Sequence, residues 1–327
     1  MKKKLIAWDL GRTKCTAGLI EYEDDSQTFT CIKPSTIKLK NTNSLEELVH
    51  QIELDLDFSL SQADAICIGA AGHYDGRVLL HANPYPYSMN FADLAKTQKW
   101  PPFAVIHDYA SIVCSTFTSA MQDKIKSLNK GVMNTHGRRV ALGVGTGLGL
   151  KDGLLLANGD FWLGQNEAGH IGIINPPKAS HSKLILHNEI MRYLAKENSI
   201  TFESILTGKG LVNLYQFFYP HEGMITPEEI GEKINANQVK ELTDSFAWYL
   251  GLFIGTVQLL FMPDGGIWMT GGIILNHLNI LDNTNLLDGI HASPAYLSER
   301  NEYPLAALCH PDQALIGCGY YAAKRLL

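Results

Sequence analysis

The chain has 327 residues, of which 46% are apolar and 18% charged, and a formal net charge of −6. This is the composition of a globular protein long enough to bury two cores. The acidic balance, with no dense Lys/Arg tract, argues against nucleic acid as a partner, and no run of about 18 apolar residues announces a membrane span.

Lys2-Lys3-Lys4 precedes an apolar run of only Leu5 to Trp8, too short for a signal peptide. That run reads as a buried strand, and Asp9-Leu10-Gly11-Arg12-Thr13-Lys14 as the turn after it. Strands follow at Cys15 to Glu21 and near Phe29 to Ile32, which makes a hairpin meander. A carboxylate at a strand end beside a glycine turn suits metal-bound phosphate, and it equally suits a turn chosen for its geometry. Ser44 caps a helix expected to reach about Ser59. Ala65 to Gly69 is a further strand entering a glycine turn at Gly69-Ala70-Ala71-Gly72, and Gly76 to Leu80 another, leading to Asn83. Phe103 to Ile106 ends in His107-Asp108, with a helix predicted over Ala110 to Met121. Asp108 thus stands where a strand ends and a helix begins, the place where ligands collect in open α/β sheets. It can also be a simple N-cap, and the two roles are compatible.

Lys124 to Arg139 is polar and irregular. Val140-Ala141-Leu142 then leads into Gly143-Val144-Gly145-Thr146-Gly147-Leu148-Gly149, with glycine at every second position. A strand that leaves its sheet and turns several N–H groups inward, with the Thr146 hydroxyl among them, would form an anion nest. A hairpin or bulge without a ligand has the same glycine signature. A P-loop is excluded because Leu150-Lys151 follows Gly149, and the dinucleotide fingerprint because its third glycine is missing. Asp160 to Leu163 is a predicted strand, followed by the small-residue loop Gly164-Gln165-Asn166-Glu167-Ala168-Gly169-His170. Helices are expected at 182–197, 201–206, 211–218, 226–234 and 239–260. In the last, Phe246, Leu250, Phe253, Val257 and Leu260 recur at core-face spacing. Gly266 to Thr270 is a strand entering the turn Gly271-Gly272, Leu305 to Cys309 the last strand, and Gln313 to Leu326 a closing helix. Gly317-Cys318-Gly319-Tyr320-Tyr321-Ala322 fits a Gly-x-Gly-x-x-Ala pattern, but it has no following strand with an acidic residue here and is expected to be an accidental match.

The six cysteines (Cys15, Cys31, Cys67, Cys114, Cys309, Cys318) lack metal-ligand spacing and read as small buried hydrophobes in a reducing cytoplasm. The twelve histidines form no zinc pattern. Strand, Asp and glycine turn recur in both parts of the chain, which suggests two related α/β halves facing one another.

Asp9-Leu10-Gly11-x-Thr13-Lys14, Asp108, the 143–149 turn, Glu167-x-x-His170, Glu203 before Leu206-Thr207-Gly208-x-Gly210-Leu211, and Gly271-Gly272-Ile273 occur in that order. On these motifs the chain resembles the bacterial glucokinase family, in the zinc-free branch of the sugar kinase/actin/heat-shock ATPase superfamily. The resemblance runs nearly end to end. It implies two ribonuclease H-like lobes of the actin-like ATPase fold facing across a cleft, residues 1–108 with about 312–327 forming the smaller and 109–311 the larger. It implies phosphorylation of glucose at its 6-hydroxyl with ATP and Mg²⁺ in the cytoplasm, as the entry to glycolysis, and a homodimer is among the expectations. Asp108 falls on the catalytic base, and Asn83, His107, Asp108, Glu167, His170 and Glu203 on the sugar contacts. Asp9, Gly11, Arg12, Thr13 and Lys14 match the first phosphate motif, with Asp9 reaching the metal through water. Gly143, Gly145, Thr146, Gly147 and Gly149 match the second phosphate motif, and Gly271 and Gly272 the adenosine motif. Two residues depart from the family pattern: His107 replaces an asparagine, and Arg12 a glycine. The histidine bears on which hexose is preferred. The arginine either obstructs positive φ or supplies a cation to the phosphates. A kinase for another hexose or acylamino sugar, and a non-catalytic sugar sensor, are the alternatives.

Overall fold

The computed structural model describes residues 2–81, 84–121, 124–173, 175–197 and 200–327. The chain forms two compact units, one of Met1–Ile125, Asn158–Leu163 and His310–Leu327, the other of Lys126–Ala157 and Gly164–Cys309.

The first unit is built on a sheet with the strand order Thr28–Lys38, Lys14–Glu23, Lys2–Leu10, Ala65–Ala70, Phe103–His107. The first three strands are antiparallel and the last two run parallel to Lys2–Leu10. Leu5, Ile6, Ala7 and Trp8 have no exposed surface, because both faces of the central strand are covered. That is why this stretch is continuously apolar rather than alternating. Trp8 packs edge-on against Phe91 and Trp100, each at 6.0 Å between ring centroids. The helix Leu45–Leu56 begins where Ser44 accepts from the Glu47 N–H, and it ends where Asp57 turns left-handed at φ 52°. It buries Leu45, Leu48, Val49, Ile52 and Leu56, each worth about 1.5–3 kcal/mol as apolar area removed from water.

The closing helix, Gln313–Arg325, lies against the helix Asp108–Ser115, which is shorter than the predicted 110–121. A Cβ at Gly317 would sit 1.7 Å from the Ser111 carbonyl oxygen, so only glycine permits this approach. The glycine pair near the C-terminus is therefore a packing feature, Gly317 against that helix and Gly319 against Ile20 of the sheet.

The second unit contains strands in the order Leu148–Leu155, Arg139–Val144, Ile267–Thr270, Leu305–Leu308, Ile125–Ser127. Its core helix, Lys240–Phe261, packs on Thr284–His291. At 22 residues this helix is long and apolar enough to cross a membrane, which corrects the expectation of no such run. Phe246, Leu250, Phe253 and Val257 are core side chains, whereas Leu260, expected on the same face, is exposed near the helix end. The segment predicted as a helix over 201–206 holds only a single 3-10 turn, Phe202–Ser204, because Thr201 and Ser204 exchange side-chain and backbone hydrogen bonds there. Of the cysteines, Cys15, Cys67, Cys114 and Cys318 are buried, but Cys31 is half-buried and Cys309 exposed, so the expectation of six buried thiols is corrected. Cys309 lies just past the last strand, where the sheet no longer covers it.

Candidate active site

In the first unit the candidate groups gather at the C-terminal ends of the parallel strands. Asp9 pairs with Gly69, and Gly69 with Ile106, two residues before Asp108. The two aspartates therefore stand on strands separated by a single neighbour, roughly 10 Å between strand axes. Burial pushes the Asp9 carboxyl up to about 6, the Asp108 carboxylate pushes the same way, and Lys14 opposes them. Asp9 belongs to the strand Lys2–Leu10 itself, not to the turn, which is confined to Gly11, Arg12 and Thr13.

The Gly11 N–H donates to the Lys14 carbonyl at 3.0 Å, which closes that turn. Arg12 is exposed and does not take positive φ, so the expectation that it obstructs the turn is set aside. The cation alternative is left. Tyr85, which sequence reasoning missed, donates its hydroxyl to the Ala71 carbonyl at 2.7 Å. Burial, then the Asp108 carboxylate, push that phenol well above its ordinary range.

Asp108 opens the helix Asp108–Ser115, and its Oδ1 accepts from the Tyr109 N–H at 2.9 Å. His107 Nδ1 lies 2.8 Å from the same oxygen. Ser111 donates its hydroxyl to the Asp108 carbonyl at 2.5 Å, which ties the base to the first turn. Asn83, expected among the sugar contacts, lies outside the described residues.

In the second unit the glycine-rich stretch is the tip of a hairpin. Leu148 pairs with Val144 and Gly149 with Gly143, and the turn is Gly145-Thr146-Gly147. The expected strand exit with open amides is corrected in two respects. None of these glycines has positive φ, and the Gly145 N–H donates to the Gly147 carbonyl at 3.0 Å. Strand pairing wins because it draws residues 143, 144, 148 and 149 into the hairpin ladder.

Here glycine is needed for close approach. A Cβ on Gly147 would lie 3.2 Å from Oε1 of Glu203, and one on Gly145 would lie 3.5 Å from the Gly272 amide nitrogen. The turn is also fastened to the helix Gly208–Phe218, whose Gly208 N–H donates to the Gly145 carbonyl at 3.0 Å. Thr207 caps that helix, its hydroxyl accepting from the Gly210 N–H and donating to the Glu203 carbonyl. The Leu206–Leu211 motif thus positions Glu203 and buttresses the hairpin. Gly271 has φ 96° and turns the strand Ile267–Thr270 into the short helix Gly272–Asn276 beside Val144. The hairpin tip, a helix N-terminus and the Gly271-Gly272 turn therefore converge in one unit, as groups that hold phosphates do.

The sugar candidates of this unit fall into two pairs. His170 Nδ1 lies 2.9 Å from Glu203 Oε2, and Lys151 Nζ lies 3.3 Å from Glu167 Oε1. Lys151 was not singled out in the sequence. The available signal was the charged pair Lys151-Asp152 inside an otherwise apolar strand directly after the hairpin.

The fold is that of a two-lobe actin-like ATPase, and the protein is a hexokinase-type phosphotransferase. The family model described as Glucokinase matches residues 6–325. A glucokinase of Mesorhizobium japonicum is 26% identical over 97% of this chain and 91% of its own length. A crystal structure of glucokinase from Balamuthia mandrillaris in complex with glucose superimposes with a TM-score of 0.76 at 18% identity, covering 99% of this chain and 94% of that one. A ROK family glucokinase from Streptomyces griseus in complex with glucose and AMPPNP does so with a TM-score of 0.61 at 15% identity, covering 96% and 97%. At such identities the two structures speak for the fold. The chain belongs to the glucokinase family.

Proposed function

We propose that this protein transfers the γ-phosphoryl group of ATP to the 6-hydroxyl of glucose, giving glucose 6-phosphate and ADP. The observation that carries the reading is the Asp108 carboxylate, placed at a strand end and held through one oxygen by His107 and the Tyr109 N–H. Its acceptor capacity is not exhausted by those contacts, so it can take a proton from a hydroxyl. That proton leaves as the hydroxyl oxygen attacks the γ-phosphorus and the bond to the ADP oxygen breaks. A base in this position contributes about 10²–10⁴ in rate.

Glu167, His170 and Glu203 are assigned to the other sugar hydroxyls. A carboxylate accepts from two hydroxyls, which suits vicinal diols, and an analogue lacking one leaves it unpaired. Asn83 is assigned with them from the family resemblance. Gly11 to Lys14, the Gly143–Gly149 hairpin and Gly271-Gly272 are assigned to the nucleotide, Arg12 and Lys14 adding positive charge. ATP as donor is supported by the AMPPNP that the Streptomyces griseus enzyme binds.

Asp9 fits Mg²⁺ in its donor chemistry: an oxygen ligand whose charged form is disfavoured by burial and by Asp108, and which a dication would relieve. Among the described residues no cluster of three or more His, Cys, Asp or Glu could hold a metal ion. When bound, Mg²⁺ would neutralise phosphate charge. The scattered free thiols support a cytoplasmic setting.

The test is a coupled assay over glucose, mannose, fructose, glucosamine and N-acetylglucosamine. Glucose-dependent ADP release is expected. Absence of ADP release with every sugar, together with glucose binding by calorimetry, would replace the kinase by a sugar sensor.

A further inference from the structure

Lys151 has no assigned role, yet it occupies a position that a lysine rarely takes. It lies on the strand Leu148–Leu155, directly after the hairpin, and its side chain is only 3% exposed. A buried ammonium is costly unless it is paired and hydrogen-bonded. Both partners come from the loop over residues 164–170. Nζ donates to the Asn166 carbonyl at 2.7 Å and to Glu167 Oε1 at 3.3 Å.

The rest of that loop is clamped to the same strand. The Gly164 N–H donates to the Asp152 carbonyl at 2.8 Å, and Asn166 Nδ2 donates to Asp152 Oδ1 at 3.0 Å. Gly169 is pressed onto Leu148 so closely that a Cβ would lie 2.1 Å from the Leu148 carbonyl oxygen. Backbone and amide contacts therefore fix the loop at both ends. At its middle, among the described residues, the ammonium of Lys151 is the hydrogen-bond partner of the Glu167 side chain.

Glu167 itself is 70% exposed. A free glutamate that exposed samples several rotamers, and ordering it on a ligand costs about 1–2 kcal/mol of side-chain entropy. We propose that Lys151 is a positioning residue for glucose: it holds one oxygen of Glu167 from beneath and presents the carboxylate, already ordered, to a vicinal pair of sugar hydroxyls. This rests on the assignment of Glu167 to the sugar. A carboxylate has about four acceptor sites, so one hydrogen bond from Lys151 leaves capacity for two hydroxyls. The same strand starts at the hairpin assigned to the nucleotide, so the residue that orders the sugar carboxylate belongs to the element that carries the phosphate turn.

The test is a double-mutant cycle of Lys151→Met and Glu167→Gln, read by KM and kcat for glucose and by calorimetric Kd. Lys151→Met is expected to raise KM and Kd about tenfold or more with kcat within threefold. In the Glu167→Gln background the same substitution is expected to change them less than twofold. Equal effects in both backgrounds, or a KM change under threefold in the wild-type background, would overturn the assignment, since a scaffold role is indifferent to residue 167. Should Lys151→Met fail to fold, Lys151→Gln, which keeps a neutral donor for the Asn166 carbonyl, is run through the same cycle with the same criteria. The two readings separate cleanly. A wild-type protein that binds glucose without turnover rejects the kinase assignment but leaves the Kd cycle readable, whereas a wild-type protein that turns glucose over with an additive cycle rejects Lys151 alone.

Discussion

Nδ1 of His107 and Oδ1 of Asp108 are 2.8 Å apart, so the candidate base is held by the residue that precedes it. The Tyr109 N–H reaches the same oxygen at 2.9 Å and His107 Nδ1 at 3.3 Å. This chain thus has a ring where the family pattern has an asparagine amide. The ring cannot both donate and accept through one nitrogen, whereas an amide presents separate donor and acceptor atoms.

Removing the base is the first prediction. Asp108→Asn keeps the shape and the hydrogen bond from Tyr109 but cannot take a proton. Turnover of glucose is expected to fall by about 10²–10⁴ while calorimetric glucose binding changes little. Turnover within tenfold of wild type would remove Asp108 from that role. His107→Asn, which restores the family residue, is expected to change the ranking of hexoses by kcat/KM with a smaller effect on kcat for the best sugar.

Asp9 yields a pH prediction. Its folded carboxyl titrates at about 6 against an ordinary value of 3.8, mainly through burial. Below about 4 it is protonated in both states; above about 6 the folded protein must hold a buried charge. Its contribution to stability is therefore full in acid and is lost as pH rises through about 6. The cost at pH 8 is at most about 3 kcal/mol, less where solvent reaches the carboxyl. Without nucleotide, Asp9→Asn is expected to melt higher than wild type at pH 8 and alike at pH 4, and to lose Mg·ATP-dependent turnover. Equal melting temperatures at pH 8 would show that Asp9 is not held at a disfavoured charge.

The contact of Gly147 with Glu203 makes a third. An alanine Cβ there would lie 3.2 Å from Oε1, and the backbone φ is not positive, so the substitution strains the carboxylate rather than the chain. Gly147→Ala is expected to raise KM for glucose tenfold or more while unfolding free energy changes by about 1 kcal/mol or less. Gly169→Ala, whose Cβ would meet the Leu148 carbonyl oxygen at 2.1 Å, is expected instead to destabilise by about 1–3 kcal/mol or more, seen in urea melts.

The pair His170–Glu203 makes a fourth. Nδ1 and Oε2 are 2.9 Å apart and the histidine is largely exposed, so the carboxylate is oriented by a ring that a ligand can reach. Glu203→Gln is expected to lower kcat/KM for glucose by about 10–10³, consistent with the loss of charge-assisted hydrogen bonds. It should also narrow the preference for glucose over its monodeoxy analogues, measured across the deoxyglucose series.

Much of this was legible in the linear order of residues. The buried strands at Leu5–Trp8 and Ala65–Gly69, the Ser44 cap and the place of Asp108 at a strand-to-helix junction follow from hydrophobic period and capping, which act over a few residues. The ordered set of motifs was likewise sufficient to select the family. What the hairpin glycines do was decided only by tertiary structure. Alternating glycines fit a nest or a turn equally, and pairing of Val144 with Leu148, with Glu203 pressed against Gly147, chose the turn. The same holds for the burial of Lys151 and the raised carboxyl of Asp9. Charge environment sums over residues distant along the chain, such as Asp9 and Asp108 or Lys151 and Glu167, and no local pattern encodes that sum.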